Sequence, residues 1–410
     1  MYSITEKKAR FYGYFLNHKI KKVREQLKII MKVTAVICEY NPFHKGHLIQ
    51  LEHIKGKGDL VVCIMSGSFV QRGQPALFDK YARAKAAVLS GADLVLELPY
   101  PYCCSAAEHF CFGGVSIADS LSVVDDLCFG SECGDIGLLK KVRDRVCSDE
   151  FSAELKKCRT DRENKQKPYA VLREELYGRM FGEQYPSSPN DILGVGYLSA
   201  IKRINSSIEP VTYKREEGHS ASEARRLLIE KNSFGSIPDN AVDVFAYSHR
   251  FDMKNAQRAI IWYYRNIEIK QLKQFEEMTD GIAERMKKSA EISRSIEEFI
   301  DNIKGKSYTN AKIRRCIING MNGVKKQMLI NRPLYTQVLA FNENGRKLIK
   351  RIQTEGDISL LSKPGHYKKL GDEARKQAEF SNSADILLTL MCEEVLSAGY
   401  FLKQGPYIHK

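Results

Sequence analysis

No stretch of the chain holds the roughly 18 to 20 consecutive apolar residues that a membrane-crossing helix needs. The basic N-terminus also lacks an apolar core followed by small residues, so no secretory signal is expected. Cysteines number eleven, yet no CxxC pair occurs anywhere, which argues against a zinc ribbon or a disulfide framework. Several lie in apolar runs, Cys38 in VTAVICEY and Cys63 in LVVCIMSG, where a thiol behaves as a small buried hydrophobe. A reducing cytoplasm is the expected setting. The tightest group, Cys103, Cys104, His109 and Cys111, lacks the spacing of zinc ligands, so no metal site is expected there. Internal repeats and low-complexity segments are missing too. With 43% hydrophobic and 28% charged residues the chain is not disordered, and 410 residues exceed one ordinary core, so two domains are expected.

Acidic residues are scarce in particular places. The net charge is +14. Residues 1–30 carry eight Lys/Arg against two Asp/Glu, and residues 236–410 carry 29 against 21, which leaves 31–235 neutral. Between Lys304 and Arg351 twelve basic residues face one acidic residue, Glu343. A neutral front half with a basic band behind it predicts a small-ligand site joined to a polyanion-binding surface. The first thirty residues read as a detachable basic extension. A start placed too far upstream, a leader or a functional arm would each explain them.

From Met31 the sequence alternates strand and helix. Apolar, β-branched runs at Val33–Tyr40, Leu60–Met65, Asp93–Leu98, Val123–Phe129 and Val211–Tyr213 are separated by helical stretches such as Leu48–Lys55 and Pro75–Leu89. Short continuous apolar runs between helices predict an α/β fold, a doubly wound parallel sheet covered on both faces. A charged helical excursion spans about 135–185, and Gly235-Ser236-Ile237-Pro238 reads as a hinge. The expected organisation is a Rossmann-like nucleotide domain over 31–235 followed by a mainly helical, basic domain over 236–410.

The chemistry concentrates where the first strand ends. His44-Lys45-Gly46-His47 opens the first helix at the carboxyl edge of the sheet, where ligands bind in such folds. Unpaired N–H groups and the helix dipole form a seat for phosphates there. Pro42 fixes the turn, and Gly46 lets a phosphate approach the backbone. His44 and His47 add donors that stabilise charge as a nucleophile attacks the α-phosphorus of ATP and pyrophosphate leaves. Ser220-Ala221-Ser222-Glu223-Ala224-Arg225 starts the helix after the expected last strand. Ser220, Ser222 and Arg225 are candidates for the β- and γ-phosphates, with Arg215 just upstream.

A strand, an HxGH turn, a helix and a late SxSxxR resemble the nucleotidylyltransferase superfamily. ICEYNPFHKGHL, MSGSFVQRGQPALFDKYARAKAAVLSGADLVLELP, LCFGSE, PNDILGVGYL and PLYTQVLAFNENG resemble the bacterial tRNA(Met) cytidine acetate ligases more closely. That resemblance implies an enzyme that activates acetate with ATP to acetyl-adenylate. It then transfers acetyl to the exocyclic N4 of the wobble cytidine of elongator tRNA(Met). Carried over, the ATP segment is Ala35-Val36-Ile37-Cys38-Glu39-Tyr40-Asn41-Pro42-Phe43-His44-Lys45-Gly46-His47-Leu48. Further implied ATP contacts are Gly113 in FCFGG, Asn190 in SPND, and Arg215 with Glu216 in YKRE. Asn190-Asp191 stands where the family carries a pair of asparagines.

The basic band supplies Lys312, Arg314, Arg315, Lys325, Lys326, Arg332, Arg346 and Lys347 for an RNA backbone, with Tyr335 and Phe341 as stacking platforms. Arg72, Lys80 and Arg83 form a polar cluster after the second strand, expected to orient the acetyl-adenylate or to admit the tRNA. Arg83 paired with Asp79 is the simpler structural alternative. Magnesium is expected with ATP, although no carboxylate cluster marks a protein site for it. No stable protein partner is expected. Two other readings stay open from the residues alone: an adenylyltransferase for a small phosphorylated metabolite, and a non-catalytic RNA-binding protein on the same fold.

Overall fold

The computed structural model describes residues 31–410 except 162, 163, 165, 166, 168, 216, 217, 219, 306 and 307. The basic N-terminal extension and Glu216 thus lie outside the described residues. Strand β1 (Val33–Cys38) is buried along its whole length at the centre of the sheet. It pairs in parallel with β2 (Leu60–Ser66), in register from Val33 opposite Leu60 to Cys38 opposite Met65. Helix α1 (Lys45–Lys55) makes the crossover between them. A short hairpin, β3 (Phe69–Val70) and β4 (Gln74–Pro75), follows β2. Sequence patterning extends the next helix back to Pro75, but α2 begins only at Lys80 and runs to Leu89, capped by the Asp79 carboxylate.

Strand β5 (Leu94–Leu98) lies parallel to β2. Helix α3 (Ala107–Ser120) leads back across β1 to β6 (Asp126–Ser131), which pairs with β1 from Thr34 opposite Asp126. The expected excursion consists of α4 (Ile136–Val146), α5 (Asp149–Thr160) and α6 (Tyr169–Phe181). Helix α7 (Pro189–Ile204) then returns the chain to β7 (Glu209–Lys214), parallel to β6. The carboxyl ends of β1, β2, β6 and β7 therefore open onto one edge, which α8 (Ala221–Glu230) approaches with its N-terminus.

Beyond the hinge come α9 (Asp239–Ala246), α10 (Gln257–Asn266), α11 (Ile269–Leu272), α12 (Asp280–Ile292), α13 (Ile296–Ile303) and α14 (Asn310–Met321). The chain then rejoins the sheet, which crosses the boundary expected near residue 235. Strand β8 (Tyr335–Phe341) runs antiparallel to β5, with Val95 opposite Ala340, and pairs with β9 (Ser359–Leu361) and β10 (Tyr407–Ile408). Helices α15 (Glu343–Glu355) and α16 (Asp372–Thr389) complete this part. Polar residues disguise β8 in the sequence, yet they are satisfied inside the protein. Thr336 Oγ1 donates to the Glu97 carbonyl (2.7 Å) and Gln337 Nε2 to the Tyr81 hydroxyl (2.7 Å). Among the described residues no helix is long and apolar enough to cross a membrane.

Candidate active site

The two histidines cap the helix they open. His44 stands at the N-cap of α1 with extended dihedrals (φ −139°, ψ 171°), and its Nδ1 accepts the Gly46 N–H at 3.1 Å. His47 reaches back, its Nδ1 accepting the His44 N–H at 3.3 Å. This is the reciprocal geometry of a capping box, built from imidazoles in place of a hydroxyl and a carboxylate. The rings stack with centroids 3.7 Å apart and planes 29° apart. Because both Nδ1 atoms accept, each neutral ring carries its proton on Nε2 and donates from there. Burial, then the positive character of His44 and Arg215, holds His47 well below the ordinary imidazole range, so it is neutral at pH 7.

Both histidines line a cleft of about 600 Å³ at the carboxyl edge of the sheet. Three helix N-termini reach it: α1 at His44, α7 at Pro189-Asn190, and α8 at Ser220-Ala221-Ser222. Ser220 Oγ accepts the Glu223 N–H (3.1 Å) as a cap. Arg72, Arg215 and Arg225 also line the cleft. Arg225 donates to the Asn41 carbonyl (2.6 Å) and to Ser222 Oγ (3.2 Å), which ties the α8 terminus to the histidine turn. Helix dipoles and guanidinium groups together make this a seat for several phosphates. Apolar and aromatic side chains from the other wall, Phe129, Ile192, Leu193, Tyr197 and Tyr213, provide a surface on which a purine can pack. Of these aromatic residues sequence reasoning singled out none. The signal was present in LCFGSE, since Phe129 lies just before the carboxyl end of β6.

Two carboxylates face the cleft, and the protein already engages both. Glu39 accepts the Gln71 N–H at 2.8 Å, and burial raises its pKa. Glu132 is held by Asn190 Nδ2 (2.6 Å) and the Asp191 N–H (3.1 Å). Asp191, in turn, accepts from Ser131 Oγ and from the Glu132 N–H (3.0 Å), so Asn190-Asp191 locks the loop after β6 onto α7.

Of the segment 35–48, Ile37, Cys38, Glu39, Tyr40, Asn41, His44, Gly46 and His47 line the cleft. Ala35 and Val36 are sheet core, and Phe43 packs under Tyr40 and His47. Lys45 turns away to the Gly235 carbonyl (2.9 Å), tying α1 to the hinge. Gly113 does not line the cleft. It is buried in α3 against Tyr102, whose Cβ would lie 2.8 Å from an added methyl.

The cluster after β2 divides. Arg72 reaches the cleft, whereas Lys80 and Arg83 are buried and fully engaged. Lys80 Nζ lies 3.0 Å from Glu97 and 2.9 Å from Asp385, a carboxylate 305 residues away that no sequence pattern links to it. Arg83 donates to the carbonyls of Phe78 (2.9 Å), Glu39 (2.6 Å), Ser66 (3.0 Å) and Gly67, and so joins the ends of β1 and β2. These two residues shape the site from beneath, and the expectation that they touch substrate is corrected.

The basic band does not form one face. Arg315 is buried in an ion pair with Glu277 and donates to the Gln71 carbonyl (3.2 Å), which supports the Arg72 loop from α14. Arg314 packs against Gly73, while Lys312 lies over the Tyr308 ring. Lys325 and Lys326 are exposed beside Phe275 and Glu276, on the side where His109 opens α3 next to the cleft. Arg332 pairs with Asp357 at 2.6 Å. Arg346 and Lys347 follow the end of β8 at Phe341, opposite Leu94, and so stand at the amino edge of the parallel strands, away from the cleft. Tyr335 is buried, with its hydroxyl donating to Ser381 Oγ (2.6 Å), and cannot stack on a base.

Comparison with known proteins agrees with this geometry. The HIGH Nucleotidyl Transferase family model matches residues 31–398. A tRNA(Met) cytidine acetate ligase from Acetivibrio thermocellus is 32% identical, covering 85% of this chain and 92% of its own length. Another, from Clostridium perfringens strain SM101, is 33% identical, covering 81% and 90%. The crystal structure of Thermotoga maritima TmcAL bound with alpha-thio ATP superposes with a TM-score of 0.85 at 27% identity, covering 92% of this chain and 99% of that one.

Proposed function

The chain belongs to the HIGH nucleotidyl transferase family, alongside tRNA(Met) cytidine acetate ligases, and from that premise we infer that it is an ATP-dependent acetate ligase acting on tRNA(Met). The observation that carries this reading is the stacked His44–His47 pair at the N-terminus of α1, in a cleft ringed by Arg72, Arg215 and Arg225.

In the first step an acetate oxygen attacks the α-phosphorus of ATP. The bond from that phosphorus to the bridging oxygen breaks, and pyrophosphate leaves with the electron pair. The Nε2 protons of His44 and His47 donate to oxygens that gain charge, and Arg215, Arg225 and the α8 terminus hold the departing phosphates. In the second step the exocyclic amine of the wobble cytidine attacks the acyl carbon. The bond from that carbon to the adenylate oxygen breaks, AMP leaves, and the surplus amine proton passes to the departing phosphate or to water.

Magnesium is proposed to arrive on the triphosphate, because Glu39 and Glu132 are already held by Gln71, Asn190 and Asp191. The tRNA is proposed to approach over Lys325 and Lys326, and the enzyme to work in the cytoplasm with its tRNA substrate.

The test is ATP–pyrophosphate exchange with and without acetate, followed by mass spectrometry of tRNA incubated with ATP and labelled acetate. Exchange that requires acetate, with acetylcytidine in the tRNA, is the expected result. Exchange without any carboxylic acid, or with a phosphorylated metabolite in its place, would contradict it.

A further inference from the structure

The chain contains a single tryptophan, Trp262, and it is 67% exposed. It stands on the outward face of α10, whose buried face is filled by Ile260, Ile261 and Tyr264, so the core does not require it. Among the described residues no other ring and no cation packs on the indole. Arg258 and Arg265, about one turn to either side on the same exposed stripe, are the only charged residues of that helix. The segment that ends α12 runs alongside. Arg265 donates to the carbonyls of Ala290 (2.7 Å) and Ser293 (3.1 Å), and Gln257 Oε1 accepts the Ile296 N–H (3.3 Å). Ile292, also 67% exposed, and Arg294 therefore extend the patch. Lys287 donates to the carbonyls of Tyr264 (3.1 Å), Arg265 (2.8 Å) and Ile267 (2.8 Å), which covers the negative end of α10. Of the acids nearby, Glu297 faces Lys254 (3.4 Å) and Glu298 accepts the Arg294 N–H (2.9 Å). Glu268 and Glu291 are left against Arg258, Arg265, Lys288 and Arg294, so positive charge prevails.

We propose that this patch docks the tRNA, with Trp262 stacking on one of its unpaired bases and Arg258, Arg265 and Arg294 facing its phosphates. This rests on the ligase reading above and adds to it a contact outside the cleft. A free aromatic face among guanidinium groups matches a single strand of RNA, whose bases stack on rings while its backbone takes up cations. Helix α14 fixes the patch relative to the cleft. Arg315 on that helix holds the Gln71 carbonyl (3.2 Å) beside Arg72, and Gly320, five residues on, accepts from the hydroxyl of Tyr263 (2.8 Å), the neighbour of Trp262. Five residues of helix are about 8 Å, so one RNA loop can present its target base to the cleft and another base to Trp262. Lys325 and Lys326 follow the end of the same helix and lie on that path. A second copy of this chain is the poorer occupant. A two-fold contact would set the arginines of one patch against those of the other, and one indole with one isoleucine falls far short of the roughly 800 Å² per partner that a stable interface buries.

Because the chain has no other tryptophan, its tryptophan fluorescence reports on this patch alone. In the full chain, an unmodified tRNA(Met) transcript is expected to quench that emission, and ATP in its place to leave it unchanged. Trp262→Ala, at an exposed position where folding is not at stake, should weaken transcript binding about fivefold to a hundredfold, the usual worth of one stacked base. Trp262→Phe should recover part of the loss. The slope of log affinity against log salt should stay as in wild type, because the ring itself holds no phosphate. Acetate-dependent ATP–pyrophosphate exchange should be unchanged in both variants. Unquenched emission, with wild-type affinity in Trp262→Ala, would overturn the proposal. So would a concentration-dependent dimer in sedimentation that Trp262→Ala dissolves while tRNA affinity holds, since the patch would then belong to a second copy. In both cases acetate-dependent exchange by the wild type would leave the ligase reading standing. Absence of that exchange would reject the reading itself, and this inference with it.

Discussion

His44 and His47 hold each other by their own backbone: Nδ1 of His47 accepts the His44 N–H at 3.3 Å, while Nδ1 of His44 accepts the Gly46 N–H. One pair of rings thus closes the helix terminus and fixes which nitrogens carry protons. The two roles can be separated. Asparagine is as good an N-cap as any residue but cannot project a donor as far as an imidazole Nε2. His44→Asn is expected to leave the melting temperature nearly unchanged and to reduce acetate-dependent exchange about a hundred- to a thousandfold, the usual cost of losing one donor to developing charge. Exchange at more than a third of the wild-type rate would show that His44 acts only as a cap.

The depressed pKa of His47 sets the acid limb. Burial favours its neutral form in the folded state, so between the ordinary imidazole value of 6.5 and its lower folded value the unfolded chain binds more protons. The folded state's advantage from this group is complete above pH 6.5 and is lost as the pH falls. Melting temperature should therefore decline on acidification below about 6.5, with a shallower slope in His47→Gln. The exchange rate should show no ionisation of His47 between pH 6.5 and 8, since the ring stays neutral throughout. A rate limb near 6.5 that disappears in His47→Gln would contradict this.

Sequence and structure agree on the parallel core and on the histidine turn, where local pattern decides the outcome, and differ by a few residues at element ends such as the start of α2. The buried parallel strands appear as uninterrupted apolar runs, and the phosphate seat appears because a strand end, a turn and a helix start are contiguous in the chain. Strand β8 was hidden because Thr336 and Gln337 read as polar, although Glu97 and Tyr81 satisfy them inside the protein. Lys80 and Arg83 looked like ligands because they follow a glycine turn at the carboxyl edge. What neutralises them, Asp385 and a set of backbone carbonyls, is long-range and leaves no trace in local sequence. Density of charge along the chain likewise says little about which face each lysine occupies.

The buried Lys80 makes a direct prediction about stability. Its two carboxylates hold its pKa well above the usual lysine value, so it is charged under all ordinary conditions. Lys80→Ala leaves Glu97 and Asp385 facing each other without a cation, a loss of about 3 to 5 kcal/mol in urea unfolding. Replacing all three, Lys80→Met with Glu97→Gln and Asp385→Asn, should recover most of it. In Lys80→Ala held folded at low temperature, the KM for acetate should stay near wild type. A large rise there with unchanged stability would restore Lys80 to the substrate site.

The split of the basic band predicts which lysines hold RNA. Lys325 and Lys326 are exposed on the cleft side, whereas Arg346 and Lys347 stand at the opposite edge of the sheet. A tRNA whose target base reaches the cleft touches the first pair and leaves the second in solvent. Each lost phosphate contact removes about 0.7 to 0.9 from the slope of log affinity against log salt. Lys325→Ala with Lys326→Ala should therefore weaken tRNA binding and flatten that slope by about one to two, with exchange unaffected. Arg346→Ala with Lys347→Ala should leave both affinity and slope as they are. If the second pair of changes weakens binding as much as the first, the RNA lies across the amino edge, and its target base must reach the cleft by a longer path around the sheet.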